Sequence, residues 1–255
     1  MLPEIKLRKK ELGVWWLGQS GFYFLTPEGT KLIIDPYLTD RVRRLFGARF
    51  GRKIPVPVEP KDLDPDIFLL THDHVDHLDE QTIQPVPGKN KITFIGPRGV
   101  ARHLKKMKVD SKNIVRIDAG ERTKVKGIEI EAVFAMPTDA GTFDTIGFII
   151  TFKNKLKIYI TGDTSYTPFL EYLKTFKIDY MFTVINGAFN NMNEVEAAKV
   201  TSLIKPKTVI PMHFGSLKLD TSDLGKFTKN MRKMDKKVKI IIPELMKPIV
   251  LTKGS

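Results

Sequence analysis

Three of the chain's five histidines fall in one hexapeptide, His72-Asp73-His74-Val75-Asp76-His77. On extended backbone, side chains two apart share a side, so His72 and His74 can grip one cation. Asp76 and His77 follow once the chain has turned, and they can reach a second. Such a cluster supports hydrolysis, because a water shared by two divalent cations loses its proton near neutral pH and attacks a carbonyl or phosphoryl centre. Asp76 is the candidate to hold that water and carry its proton. The competing reading, a polar loop with satisfied histidines, accounts poorly for three histidines in six residues.

The chain has no cysteine, which excludes thiolate metal sites, cysteine nucleophiles and redox dithiols. A nitrogen-and-oxygen ligand set suits zinc, manganese or iron, and its carboxylate share keeps manganese beside zinc. The cofactors expected are therefore one or two divalent ions, Zn2+ or Mn2+.

These residues need strands to present them. The apolar stretch Ile67–Leu70 runs directly into Thr71-His72. Two further polar tips follow apolar strands: Asp163 after Lys157–Ile160, and His213 after 208–212. Alone, an Asp after a strand is usually a turn residue and a single His is usually no ligand. With the upstream histidine motif, both join the site.

The remaining pattern is strand-rich and mixed. Strands are expected at Val14–Leu17, Phe22–Leu25, Lys31–Asp35, Lys91–Ile95, Ile114–Ile117, Ile128–Ala135, Ile146–Phe152, 179–185, 238–242 and 248–251. Helices are expected at Pro97–Met107, 168–176, 194–204 and 221–234. No repeat, low-complexity run or linker divides the 255 residues, so one domain, 1–255, is expected, with helices covering two sheets from outside. No apolar run approaches the ~18–20 residues of a membrane span. The N-terminal segment also lacks a leader's apolar stretch and small-residue cleavage site, so a cytoplasmic protein without a membrane partner is expected.

Several motifs resemble a known family. His72, His74, Asp76 and His77, followed by Asp163 and His213, resemble the metallo-β-lactamase superfamily of metal-dependent hydrolases. More narrowly, Trp15-Trp-Leu-Gly-Gln-Ser-Gly21, Thr71-His-Asp-His-Val-Asp-His77, Phe94-Ile-Gly-Pro97, Gly162-Asp-Thr-Ser-Tyr166 and Val209-Ile-Pro-Met-His213 are similar to the L-ascorbate-6-phosphate lactonase branch. The resemblance implies an α/β (α+β) fold, an αββα four-layer sandwich with one or two metals at its edge. It also implies that Asp163 bridges, with His72 and His74 on a first ion and Asp76, His77 and His213 on a second.

The superfamily pattern usually supplies one more histidine between the first motif and the bridging Asp. Here only His103 lies in that interval, within a helix, and it is not expected to ligate. The missing ligand falls near Met136-Pro-Thr-Asp-Ala140, which makes Asp139 the candidate, with Thr138 or a water behind it. Gln19, where relatives often carry histidine, and Tyr166 are candidates to edge the substrate. Asn193 reads first as a helix cap and second as a substrate contact. Of Trp15 and Trp16, alternating on a strand, one is core and the other core or pocket wall.

The chain carries 42 Lys+Arg against 29 Asp+Glu, a net charge of +13, which suits an anionic partner. Arg41, Arg43 and Arg44 head a basic segment running to Lys53, and they are candidates to clamp a phosphate. The leading expectation is a hydrolase of a small anionic, phosphorylated substrate, of lactonase or phosphodiesterase type. The alternatives are a nuclease, for which no stacking-aromatic module is found, and a non-catalytic binding protein with a degenerate metal site. A homo-oligomer is compatible with each.

Overall fold

The computed structural model describes residues 5–253. The first four residues, part of the segment read above for a leader, and the last two lie outside the described residues. In the first half, β1 (Glu11–Gly18), β2 (Gly21–Leu25) and β3 (Lys31–Ile34) form an antiparallel meander. Next come α1 (Arg41–Phe46), β4 (Ile67–Leu69), α2 (Glu80–Ile83), β5 (Thr93–Gly96), α3 (Arg98–Lys106) and β6 (Ile114–Arg116). The second half holds β7 (Arg122–Val125), β8 (Ile128–Phe134), β9 (Ile146–Thr151), β10 (Lys157–Ile160), β11 (Tyr180–Val184), α4 (Glu194–Ile204), β12 (Thr208–Met212), α5 (Leu224–Met234), β13 (Lys239–Ile240) and β14 (Ile249–Thr252).

The strands build two seven-stranded sheets, β14-β1-β2-β3-β4-β5-β6 and β13-β12-β11-β10-β9-β8-β7. Alternation along β1 explains how they pack. Leu12, Val14 and Trp16 enter the core between the sheets, whereas Trp15 and Leu17 face outward to meet Val100 and Leu104 of α3. Between the sheets Phe22 and Phe24 of β2 meet Phe182 of β11 at 4.7 and 5.8 Å between ring centres. Each ring so buried stabilises the fold by roughly 2 kcal/mol, so folding is driven here and the strand-end loops ride on it. With α4 and α5 on the other side, the order is helix, sheet, sheet, helix, the expected αββα sandwich.

Local signals explain most boundaries. The Asn193 side chain accepts from the backbone N–H groups of Val195 and Glu196, and Glu196 accepts from the N–H of Asn193; the expected cap is a full capping box. Both tryptophans are core: Trp15 lies edge-on to Tyr23 at 5.9 Å, and Trp16 stacks on Phe214 at 4.8 Å.

Four expectations change. The segment 168–176 winds as a 3-10 helix, Pro168–Phe176, in which Leu170, Leu173 and Phe176, three residues apart, eclipse one another on one face. The basic stretch after Asp40, which reads as a loop from its Gly47 and Gly51, is the helix α1 followed by a short 3-10 turn. Helix α5 starts later than expected, because Asp223 caps it by accepting from Gly225 and Lys226. Strand β7, with its charged sequence Arg-Thr-Lys-Val, is a sheet edge; such an edge resists pairing with other chains and carries little hydrophobic signal. No helix among the described residues is long and apolar enough to cross a membrane.

Strands β3, β4 and β5 run parallel in one sheet, as do β10, β11 and β12 in the other. The carboxyl ends of β3, β4, β10, β11 and β12 carry the side chains that build the site, as is usual in open sheets.

Candidate metal centre

The loop after β4 turns back on itself, with the backbone N–H groups of His77 and Leu78 both donating to the His74 carbonyl. This folding brings the three histidines together, with ring centres 4.6 Å apart for His72 and His74 and 4.1 Å for His72 and His77. Asp163 from β10 and His213 from β12 close the cluster. His77 Nε2 lies 3.2 Å from Asp163 Oδ1, and His213 Nε2 lies 3.3 Å from Asp76 Oδ2 and 3.6 Å from Asp163 Oδ1. Two ligand sets result: His72, His74 and Asp163, and Asp76, His77 and His213. All six motif residues are thus brought together, and Asp163 touches both sets.

A second layer fixes which nitrogen each imidazole presents. The Asp35 carboxylate, fully buried at the end of β3, lies 2.8 Å from His77 Nδ1 and accepts from the Thr71 hydroxyl at 2.5 Å and the Thr71 N–H at 2.9 Å. Thr71 Oγ1, having donated to Asp35, is left to accept from His72 Nδ1 at 2.9 Å. One carboxylate therefore places protons on the outer nitrogens of His77 and His72 and frees both Nε2 lone pairs inward. Asn186 Nδ2 lies 2.9 Å from His213 Nδ1, a contact that positions the ring without placing a proton on its outer nitrogen. Gln19 Nε2 donates to Asp76 at 2.9 Å, and Asn191 Nδ2 donates to Asp163 Oδ2 at 2.7 Å. Gln19, Asp35 and His213 all have positive φ, at 53°, 41° and 58°. Backbone strain of this kind, about 1–2 kcal/mol per residue, persists where surrounding contacts over-determine it.

Asp139 takes a different place from the one expected. His72 Nε2 faces His74 Nδ1 at 2.9 Å, while His74 Nε2 points the other way, to Asp139 Oδ2 at 2.8 Å. The other oxygen of Asp139 accepts from the N–H groups of Gly141 and Thr142. Its carboxylate therefore sits on the outer nitrogen of His74. Thr138 lines the cavity beside it, its carbonyl accepting from Asn190. His103 pairs with Glu80 at 2.7 Å, away from the cluster.

The cluster fits a divalent cation. His77 Nε2 and Asp163 Oδ1 are buried and have no hydrogen-bond partner. With neither a proton nor a cation between them, a buried carboxylate oxygen 3.2 Å from an imidazole nitrogen costs at least about 1–3 kcal/mol, and a cation there removes that cost as a proton on His77 does. Charge balance agrees. Burial opposes the charged form of Asp163, yet His213 and His77 hold it well below the usual carboxylate range. Burial likewise opposes charge on His77, and Asp163 and Asp76 nevertheless drive it well above the ordinary imidazole value. The carboxylates demand positive charge, and a metal on nitrogen and oxygen donors supplies it.

The cluster opens into a cavity of about 430 Å3. Gln19, His74, Asp76, Asp139, Asp163 and His213 form its floor, and Val42, Phe46, Phe50, Val75, Phe189, Leu217 and Leu219 contribute its apolar wall. The basic segment gives the cavity its apolar residues and not its cations: Arg49 lies over the Phe50 ring at 4.9 Å, and no arginine or lysine of the segment is in the lining. Arg41 pairs with Glu80 at 3.0 Å and Asp79 at 3.8 Å, Arg43 with Asp40 at 3.4 Å, and Arg44 with Gln81. Further along, Arg52 donates to the carbonyls of Tyr37 and Ile54, and Lys53 to that of Asp220. These cations already have partners, which corrects the expected clamp. Tyr166 is also outside the lining and packs at the core margin with the Lys199 ammonium 4.8 Å from its ring centre.

Comparison with known proteins agrees with this geometry. The Beta-lactamase superfamily domain matches residues 30–214, most of the chain. The chain belongs to the metallo-β-lactamase superfamily. Within that superfamily it is 30% identical over 240 residues to a UPF0173 metal-dependent hydrolase of Methanosarcina barkeri, covering 90% of this chain and 95% of the relative. Another UPF0173 metal-dependent hydrolase, from Polynucleobacter asymbioticus, is 29% identical over 245 residues, 88% of this chain and 81% of the relative. The chain is thus a UPF0173 family member. Its metallo-β-lactamase fold is shared with a metallo hydrolase of the archaeon Ignicoccus hospitalis, at a TM-score of 0.76 and 19% identity, covering 94% of this chain and 98% of that one.

Sequence reading missed Asp35, Asn186, Asn191 and the aromatic wall. For Asp35 a signal existed, since Leu32-Ile33-Ile34-Asp35-Pro36 is another apolar strand with a single acidic tip. Asn186 follows β11 in the same way.

Proposed function

We propose that the chain is a hydrolase of lactones or esters, with one ion, zinc or manganese, held by His72, His74 and Asp163 and a second by Asp76, His77, His213 and the shared Asp163. Bound there, such ions supply an acidified water and positive charge for a developing oxyanion. The observation that carries the reading is the buried, unpartnered pair of His77 Nε2 and Asp163 Oδ1.

The chain's own residues do the rest. Asp76 is kept ionised: burial opposes its charge, but His77 and the hydrogen bond from His213 outweigh it. With Oδ2 held by Gln19, its carboxylate orients the attacking water and receives its proton. The new C–O bond forms at the carbonyl carbon, the bond to the leaving alkoxide breaks, and that oxygen takes up the proton. Asp35, through His77 and through Thr71 to His72, keeps both rings in the productive tautomer.

A carbonyl substrate is favoured over a phosphodiester or polynucleotide because none of the described residues lining the cavity is Lys or Arg. The resemblance to the lactonase branch supports the same electrophile. The test is exhaustive chelation followed by reconstitution with zinc or manganese, measured on a panel of lactones and esters. Hydrolysis should vanish and return with metal, and His77→Ala should abolish it in a folded protein. Turnover that survives complete metal removal refutes the reading.

A further inference from the structure

We infer that the substrate is uncharged and carries an aryl body, held against the row of Phe46, Phe50 and Phe189 along one wall of the cavity. This rests on the acyl-hydrolase reading above and adds to it what the rest of the substrate must be.

Exposure is the first observation. Phe46 and Phe189 are 57% and 62% exposed, and both line the cavity that contains the metal cluster. Phe50 lies between them, with ring centres 5.7 Å from Phe46 and 6.1 Å from Phe189, the latter ring within 20° of parallel. Isolated exposed aromatics are ordinary on a surface. Three in a row along the wall of a polar cluster form an apolar surface of the kind that binds a ligand.

Backbone strain is the second. Phe189 and Asn190 both have positive φ, 52° and 62°, a conformation that a bulky L-residue rarely adopts. The turn is pinned around them. Asn190 donates to the Thr138 carbonyl at 2.8 Å, the Asn190 carbonyl accepts from Ser165 Oγ at 2.7 Å, and Asn191 is tied to Asp163 at 2.7 Å. The same hydrogen bonds that orient Asp163 thus hold the Phe189 ring at the cavity wall, so ring and metal ligand are set by one turn.

Charge is the third. Despite the net charge of +13, the only formally charged side chains besides histidine in the lining are aspartates: Asp73, Asp76, Asp139, Asp163 and Asp220. Two of these belong to the metal ligands. Asp220 Oδ1 accepts from the Ser222 N–H and hydroxyl and Lys53 reaches the Asp220 carbonyl, while Oδ2 is buried with no hydrogen-bond partner, so an anionic tail at this place would meet a carboxylate oxygen and no donor. A neutral aryl group meets matching apolar surface instead.

The test uses metal-loaded protein and three methyl esters, followed by proton release: the acetate, the 3-phenylpropanoate, and the 3-phenylpropanoate with a phosphonate on its ring. Corrected for intrinsic reactivity, kcat/KM for the phenylpropanoate should exceed that for the acetate and for the phosphonate each by about tenfold or more. Phe46→Ala and Phe189→Ala alter exposed rings, and each should lower the phenylpropanoate-to-acetate ratio about tenfold, chiefly through KM. Calorimetric titration with phenylbutanone, a neutral ketone with no bond to hydrolyse, should show binding that weakens to the same degree in both variants. Equal kcat/KM for the three esters, preference for the phosphonate, or an unchanged ratio in both variants overturns the inference and leaves the hydrolase reading intact. Phenylbutanone binding that is lost in the variants, with no ester turned over, leaves the inference standing and removes the hydrolase reading.

Discussion

The two halves of the metal cluster are built from the same residue types but supported differently. Around Asp76, His77 and His213, Asp35 backs the outer nitrogen of His77, Asn186 lies against the outer nitrogen of His213, and Gln19 Nε2 reaches both Asp76 Oδ2 and His213 Nε2; His77 and Asp35 are essentially inaccessible. Around His72 and His74, only His72 has such a buried backing, through Thr71. His74 is 36% exposed and leans on Asp139, itself 44% exposed, from a turn. A ligand backed by a buried hydrogen bond needs no reordering to bind, whereas an exposed pair can trade its contact for water. The comparison teaches that one ligand set is preorganised and the other half open to solvent, so an ion at His72 and His74 should leave first as metal is titrated away.

The largest effect should come from removing what the halves share. Asp163→Ala takes a carboxylate from both sets, and metal analysis should find both ions lost and hydrolysis at background. Retention of one tightly bound ion would show that Asp163 serves one half only. Next is Asp35→Asn, which keeps the left-handed backbone accessible, since Asn tolerates that region. The amide cannot accept from both Thr71 and His77 as the carboxylate does, so metal affinity should fall about 10–100-fold. The loss should register at both halves, because Asp35 reaches His77 directly and His72 through Thr71. A selective loss at one ion would break that relay.

Much of this centre was legible in the sequence because strand-end ligands announce themselves. A polar residue closing an apolar strand, as at Ile160-Thr-Gly-Asp163 or Pro211-Met-His213, is visible in the chain itself. Asp35 was equally visible but unaccompanied by a histidine, so it read as the end of a strand. The arginines mislead for a physical reason. Arg41 and Arg44 meet Glu80 and Gln81 of α2, partners distant in the chain that only the tertiary fold brings near. Phe46, Phe50 and Phe189 share one wall only because α1 and the turn after it meet the distant loop that follows β11. The 3-10 winding of Pro168–Phe176 was hidden because a three-residue spacing fits either helix over so short a run.

The smallest effect sharpens the comparison most. Asp139→Asn makes the same chemical change as Asp35→Asn, one oxygen replaced by an amide nitrogen, at the exposed half. The substituted side chain keeps the oxygen that accepts from Gly141 and Thr142, so the turn stays in place. What is lost is the acceptor facing His74 Nε2, which otherwise fixes Nδ1 as the inward lone pair. Because this pair is partly solvated, water can replace the missing acceptor, and the loss should stay under about tenfold. It should be confined to the weaker ion, with the tighter one unmoved in the same isotherm. If Asp139 were instead the missing ligand, its replacement would cost as much as Asp35→Asn or more, and an exposed carboxylate would have to be counted among the ligands.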